Sequence, residues 1–194
     1  MSKVAANRRP FTAVSLLERW RIQPDGAAVT EFAIILPLLV LIWLGGYETT
    51  NAVATYRKLT DTTAQLANIA SRGVNTSKGE LQTIMAATAQ IMSPYSTANL
   101  QTVVSEIQTD AHSVATVTWS QAYNGGTTHT PGTAWTLPAA LVTPSSAYIL
   151  VETSYNYQAS LGVPYIGMGI PMASQLYIPP RQVPSIICTD CPTS

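Results

Sequence analysis

The sequence predicts an α+β chain: a long N-terminal helix, membrane-spanning in its first half, packed on a small antiparallel β-sheet. Three observations lead there. From Phe32 to Tyr47 no residue is charged, and the Ala27, Ala28 and Val29 lead-in extends this run to about 20 residues, the length a helix needs to cross roughly 30 Å of hydrocarbon. The run then continues without a turn into "ETTNAVATYRKLTDTTAQLANIASRG". There Val53, Tyr56, Leu59, Thr63, Leu66, Ala67 and Ala70 recur three or four apart, as one stripe of an amphipathic helix does. Beyond Pro94 the period changes to apolar–polar alternation, the pattern of half-buried strands.

The elements follow in order. Residues 1–25 are polar, basic and punctuated by Pro10 and Pro24, which reads as a leader rather than a domain. The helix is expected from Ala27 to Ser71, on the order of 65 Å long. Gly45 and Gly46 allow a kink without forcing a break, and Gly73 is placed to cap the C-terminus. "KGELQTIMAATAQIMSPY" repeats the helical spacing through Leu81, Ile84, Met85, Ala89 and Met92, and Pro94 ends it. "LQTVVSEIQTD" and "HSVATVTWSQAY" alternate as strands, and "NGG" at Asn124–Gly126 with the Thr-rich run to Pro131 forms a surface loop. "AYILVETSYNYQA", Ala147–Ala159, is the strongest strand, rich in β-branched and aromatic residues. "GVPYIGMGIP" and "YIPPRQVP" carry too many Gly and Pro for regular structure. The expected sheet has three or four strands and packs on the exposed helix stripe.

At 194 residues the chain has room for one membrane helix and one modest soluble domain. Ten Lys and Arg balance ten Asp and Glu, so nothing points to nucleic acid. Charged residues are 10% of the chain, against roughly 25% for ordinary soluble proteins; such Thr-rich, low-charge surfaces suit exported or packed-together proteins. Lys3, Arg8, Arg9, Arg19 and Arg21 precede the apolar run, whereas Arg57 and Lys58 are the nearest basic residues beyond it. This bias puts the N-terminus in the cytoplasm and the C-terminal bulk outside it.

The two cysteines, Cys188 and Cys191, sit in "CTDC" near the C-terminus. On the exported side of a membrane the pair reads first as a disulfide. The same spacing serves redox pairs and half of a zinc site. A redox pair, however, opens a helix after a strand, and zinc needs two more ligands where His112 and His129 are the only histidines.

The opening of the apolar run carries a more specific signal. Glu31 stands just before the lipid-like stretch, where a buried charge costs on the order of 2.5–3.5 kcal/mol on insertion scales. "GAAVTEFAIILPLLVL", with Gly26, the short run Ala27–Thr30, Glu31 and then Phe32 onward, resembles the prepilin processing site of type IV-like pilins. The resemblance is closest to the TadE-like pseudopilins of the tight-adherence (Flp/Tad) system, for which Pro37 inside the run is typical. "LTDTTAQLANIASR" and a tail of "PPR" followed by cysteines are similar to that family as well, whereas residues 95–160 carry no such likeness.

The resemblance implies a pilin-like fold and cleavage by a prepilin peptidase between Gly26 and Ala27, where glycine lets an extended backbone enter a narrow cleft. The organisation it implies is a cytoplasmic leader, 1–26; the transmembrane half of the helix, 27–48; and a periplasmic or extracellular α+β domain, 49–194. Glu31 would then be an assembly contact that meets a neighbouring subunit's freed amine. The plainer reading makes it an interfacial carboxylate on a signal anchor.

The resemblance also implies a minor pilin of the bacterial inner membrane, with the prepilin peptidase and other Flp/Tad pilins and pseudopilins as partners. With these it would form a hetero-oligomer and act in assembly or initiation of the pilus, either as part of the filament or only in building it. The alternative is an unprocessed, membrane-anchored periplasmic binding or adhesin module. An enzyme is the weakest class: no G-x-S-x-G, H-E-x-x-H or P-loop is present, and neither a cofactor nor a metal is expected. Glu106, Asp110 and His112 near a strand end read as a solvated turn, and His129 as a loop residue. Trp119, Tyr123, Trp135, Tyr155 and Tyr157 suit a partner or sugar surface, though aromatics at strand spacing are more often core.

Overall fold

Helix α1 runs from Asp25 to Ala70, uninterrupted through Pro37, Gly45 and Gly46. The structure is a computed structural model and describes residues 25–159 and 169–191. The chain divides between Tyr47 and Glu48 into two compact units.

In the second unit α1 buries Thr55, Leu59, Thr62, Thr63, Leu66 and Ala67. Leu59, Thr63, Leu66 and Ala67 belong to the expected stripe, but Val53 and Tyr56 are 47% and 46% exposed. Threonines take the inner positions at this end. The hydroxyls of Thr55, Thr62 and Thr63 donate to the carbonyls of Asn51, Lys58 and Leu59, each at 2.8 Å. A threonine that satisfies its hydroxyl on its own helix presents mainly its methyl to the core.

The end of α1 differs from the expected glycine cap. Among the described residues, positive φ in glycines is confined to Gly125 and Gly132, so Gly73 does not take the left-handed cap conformation. The last carbonyls are met otherwise: Ala67 accepts from Ser71 N–H, Ile69 from Arg72 N–H, and Ser71 from the distant Arg181 N–H at 2.9 Å.

A two-residue strand β1 (Asn75–Thr76) leads into α2 (Lys78–Ala89). Ser77 is the N-cap and accepts from Glu80 N–H at 3.2 Å. A 3₁₀ turn over Gln90–Met92 follows, and Pro94 stops the helical path as expected.

Four strands then form one antiparallel sheet: β2 (Leu100–Thr109), β3 (Ala115–Tyr123), β4 (Ala147–Tyr157) and β5 (Ile170–Ile178), in the order β3-β2-β4-β5. The last of these corrects the sequence reading, since β5 takes in Ile170 and Pro171 and the Tyr177–Ile178 pair, all expected to be irregular. Pro171 is tolerated because it stands at the start of an edge strand, where a missing N–H is cheapest. Residues 162–168 of the expected irregular stretch "GVPYIGMGIP" lie outside the described residues.

The inner face of the sheet presents Leu100, Val104, Trp119, Ile149, Val151 and Tyr155. These pack with Leu59, Leu66 and Ala67 of α1 and with Leu81 and Met85 of α2. Each fully buried large apolar side chain stabilises by about 1.5–3 kcal/mol. Thr63 of α1 and Thr153 of β4 share a buried hydroxyl–hydroxyl bond at 2.6 Å, which fixes the sheet's position along the helix. On the outer face, Ile107, Val117, Tyr148 and Leu150 are covered by Trp135, Leu137 and Leu141 from the β3–β4 connection. That connection starts with Asn124 and Gly125, at φ 52° and 81°, a pair of left-handed residues suited to a tight turn. The Asn124 amide donates to the carbonyls of Thr97, Ala98 and Leu100.

After β5 the tail crosses the helix side of the sheet and adds β6 (Ile187–Cys188) in parallel to β1. A buried carboxylate holds it. Glu106 is 0% exposed; its Oε1 accepts from Ile186 N–H at 2.7 Å, while Oε2 has no hydrogen-bond partner among the described residues. Desolvation pushes its pKa up from the ordinary 4.5, against the Ile186 N–H and the weaker pull of Ser185 and Trp119.

The native state therefore keeps this proton to higher pH than the unfolded chain does. It binds more protons above pH 4.5, and stability falls as pH rises from there to the native pKa. Glu106→Gln keeps an acceptor for Ile186 and removes the titration. The variant's melting temperature should gain on wild type as pH rises above 4.5. Thermal melts in a pH series check this, and a wild type that gains on the variant over that range refutes the assignment.

Candidate functional site

Gly26 and Ala27 lie in the opening turn of α1, and the leader before Asp25 lies outside the described residues. Every residue from Ala28 to Trp43 is exposed, Glu31 among them. Ile34 is 78% exposed, Leu41 66% and Trp43 70%. The stretch is long and apolar enough to cross a membrane, and none of it is buried inside the protein. A water-exposed apolar surface of this extent is not stable on its own, which makes the helix suited to lipid and to other apolar helices. Pro37 leaves the carbonyl four residues back without its helical donor, a loss that neighbouring helices make tolerable in lipid. A Cβ added at Gly45 or Gly46 would meet nothing within 4 Å, so neither glycine is required by close packing in this chain.

In the sheet unit the polar residues singled out from sequence separate. Glu106 belongs to the inner face and is sealed under the tail. Asp110 and His112 sit in the exposed β2–β3 turn, where Asp110 Oδ1 accepts from the backbone N–H of His112 and Val114, both at 2.8 Å. Those hydrogen bonds, the Val114 one foremost, pull the Asp110 carboxyl below its usual value. Asp110 thus closes a turn and shares no site with Glu106.

The aromatics are mainly structural. Trp119, Tyr155 and Tyr157 are buried, and Trp119 Nε1–H donates to the Ile186 carbonyl at 2.7 Å. Tyr157 OH donates to Glu48 Oε2 at 2.9 Å. His129, read from sequence as a simple loop residue, pairs through Nε2 with Glu152 Oε2 of β4, and its ring stands edge-on to Trp135 at 4.5 Å. The pair borders a groove of about 420 Å³ on the outer face, floored by β2, β4 and β5 where the β3–β4 connection leaves the sheet uncovered. No local motif marks this pairing, because a strand position and a loop 23 residues apart meet only through the turn of the connection.

The extent of the processing-like motif and the apolar helix can be set against known proteins. Residues 26–68 match the family model of TadE-like proteins. This TadE-like segment opens on Gly26 and covers the exposed apolar helix together with most of the α1 stripe that carries the sheet. It is consistent with a membrane-anchored component of the tight-adherence pilus system. No curated protein and no solved structure matches the chain, and the sheet and tail lie outside the TadE-like segment.

In the tail, Cys188 and Cys191 are bonded to each other, with Cα atoms 5.5 Å apart. A carboxylate oxygen of Asp190 lies within 4.8 Å of both sulfurs, but the bridge leaves no thiolate for a metal. Asp190 Oδ1 instead accepts from Lys78 N–H at 2.6 Å, at the first residue of α2. The bridge closes a very small loop, so its entropic contribution should lie at or below the low end of the usual range of about 2–4 kcal/mol. Cys188→Ser should therefore leave the chain folded with a slightly lower melting temperature. Alkylation of both thiols without prior reduction would exclude the bridge.

Proposed function

We propose that the chain is a minor pilin or pseudopilin of a Flp/Tad adhesive pilus, acting in its assembly or initiation. The observation that carries this reading is where the TadE-like match begins: at Gly26, the glycine of the processing-like motif. A prepilin peptidase at the cytoplasmic face removes residues 1–26 and frees the amine of Ala27. The N-terminus faces the cytoplasm, as the basic residues ahead of the helix favour. The apolar half of α1 stays in the inner membrane until it packs among the helices of other Flp/Tad pilins and pseudopilins. The sheet unit lies on the periplasmic side, and the chain performs no catalysis.

Processing is checked by N-terminal sequencing of protein from the native membrane. Wild type should begin at Ala27, and Gly26→Ala or a bulkier replacement should keep precursor size on a gel. A periplasm-dependent reporter fused after Ser194 should be active. Wild-type protein that begins at Met1 or Ser2 in a strain with a working peptidase makes the chain an unprocessed anchored module instead.

Glu31 serves assembly, and neither insertion nor cleavage depends on it. In a packed bundle that excludes water, a charge-assisted hydrogen bond from a neighbour's freed amine to the Glu31 carboxylate is specific in register. Removing one partner weakens the contact between subunits and leaves each chain intact. Glu31→Gln and Glu31→Ala should give normal amounts of correctly sized membrane protein that no longer supports piliation or co-purifies with pilin partners. Changes at Thr30 and Glu48 are the controls. Assembly of Glu31→Ala at the wild-type level reduces Glu31 to an interfacial carboxylate.

A further inference from the structure

We propose that the groove on the outer face of the sheet binds a neutral, polyhydroxylated ligand: a sugar unit of an oligosaccharide. The chemistry of the lining selects this class by elimination and by fit. Among the described residues no Lys or Arg lines the groove, and its one histidine is engaged by Glu152, so no free cationic group there meets a phosphate, sulfate or carboxylate. The apolar side chains at its floor are small, Val103 and Ala173, too little to hold a lipid tail or an aromatic ring.

What remains is a set of planar and hydroxyl groups that both donate and accept: the amides of Gln101 and Gln175, the Ser154 hydroxyl and the Glu152–His129 pair. Carboxylates and amides present two polar atoms at the spacing of vicinal hydroxyls, and the floor of small side chains suits the C–H face of a pyranose. A volume of about 420 Å³ falls in the range of roughly 300–1,000 Å³ typical of small-molecule sites.

The site is built before any ligand arrives. Register places Gln101 opposite Ser154 and Ser154 opposite Ala173, and Val103 opposite Glu152 and Glu152 opposite Gln175, so these side chains stand in two neighbouring rows across three strands. Ser154 Oγ donates to Gln101 Oε1 at 3.3 Å. Trp135 fixes the His129 ring, which in turn holds Glu152. The wall depends on Gly126: a Cβ there would stand 2.9 Å from the Thr102 carbonyl and 3.0 Å from a Val103 methyl, so only glycine lets the connection cross the sheet this closely. A second groove shares Gln101, Ser154 and Ala173 with the first and continues past Asn99 and Asn156. That continuation extends the site toward a further sugar unit, again lined by amides.

The test uses the full chain in lipid nanodiscs and saturation-transfer difference NMR with maltose, lactose, cellobiose and di-N-acetylchitobiose. At least one disaccharide should receive saturation. Gln101→Ala and Gln175→Ala, both at exposed positions, should weaken its binding at least tenfold while the melting temperature stays within a few degrees of wild type. Thr83→Ala on α2 should bind as wild type does. Response to the acetamido sugar alone points to a cell-wall-type glycan, and response to the plain hexoses to a capsular or surface glycan. Saturation of none of the four, or signals unchanged in both glutamine variants, overturns the proposal.

Discussion

Much of the sheet unit depends on how one residue of the tail is held. Ile186 gives its N–H to Glu106 and its carbonyl to the Trp119 indole, at 2.7 Å each, while its side chain enters the core beside Leu66, Met85 and Val104. Once that residue is seated, the chain on either side reaches the helix ends. Upstream, Arg181 N–H meets the last turn of α1 at Ser71. Downstream, β6 joins β1, and Asp190 caps the start of α2. A buried carboxylate is an expensive way to secure a loop, because its second oxygen has no partner. An apolar residue at position 106 would leave the Ile186 N–H unsatisfied, which costs about as much.

Helix α1 works in two solvents, and its composition changes accordingly. From Phe32 to Trp43 it is apolar all round, as a helix without a water-facing side must be. Beyond Glu48 it narrows to a stripe in which threonines stand between leucines. Their hydroxyls return to the helix's own carbonyls, so the stripe is nearly dry. The one that reaches outward, Thr63, makes the cross-link to Thr153.

The parts legible in sequence were those set by period and length. The apolar run, its continuation as one helix, α2 with its stop at Pro94, and the alternation of β2, β3 and β4 all depend on neighbours along the chain. The processing-like motif at Gly26–Glu31 was legible for the same reason. The stripe was misplaced at Val53 and Tyr56 because a back-bonded threonine looks polar on paper. Strand β5 was missed because Pro171 and the "YIPP" end signal turns, while the edge position that excuses them is a property of the sheet. Neither the Glu106 clamp nor the His129–Glu152 pair has a local signal. Each joins residues brought together only by the order β3-β2-β4-β5 and the return of the tail.

The β3–β4 connection does more than cover the lower half of the outer face. It lies along the free side of β3, exchanging hydrogen bonds between Val117 and both Thr133 and Gly132 and taking the Ala115 carbonyl with Trp135 N–H. Over Ala115–Val117 a strand from another molecule finds no vacant ladder. Endless edge-to-edge growth of a sheet requires two open sides on every subunit, just as a polymer chain requires bifunctional monomers. With this end of β3 already paired, the edge left there for an incoming strand is shortened, and the sheet makes a poor bifunctional monomer. Edge-to-edge propagation of this sheet is thereby hindered at one of its two sides.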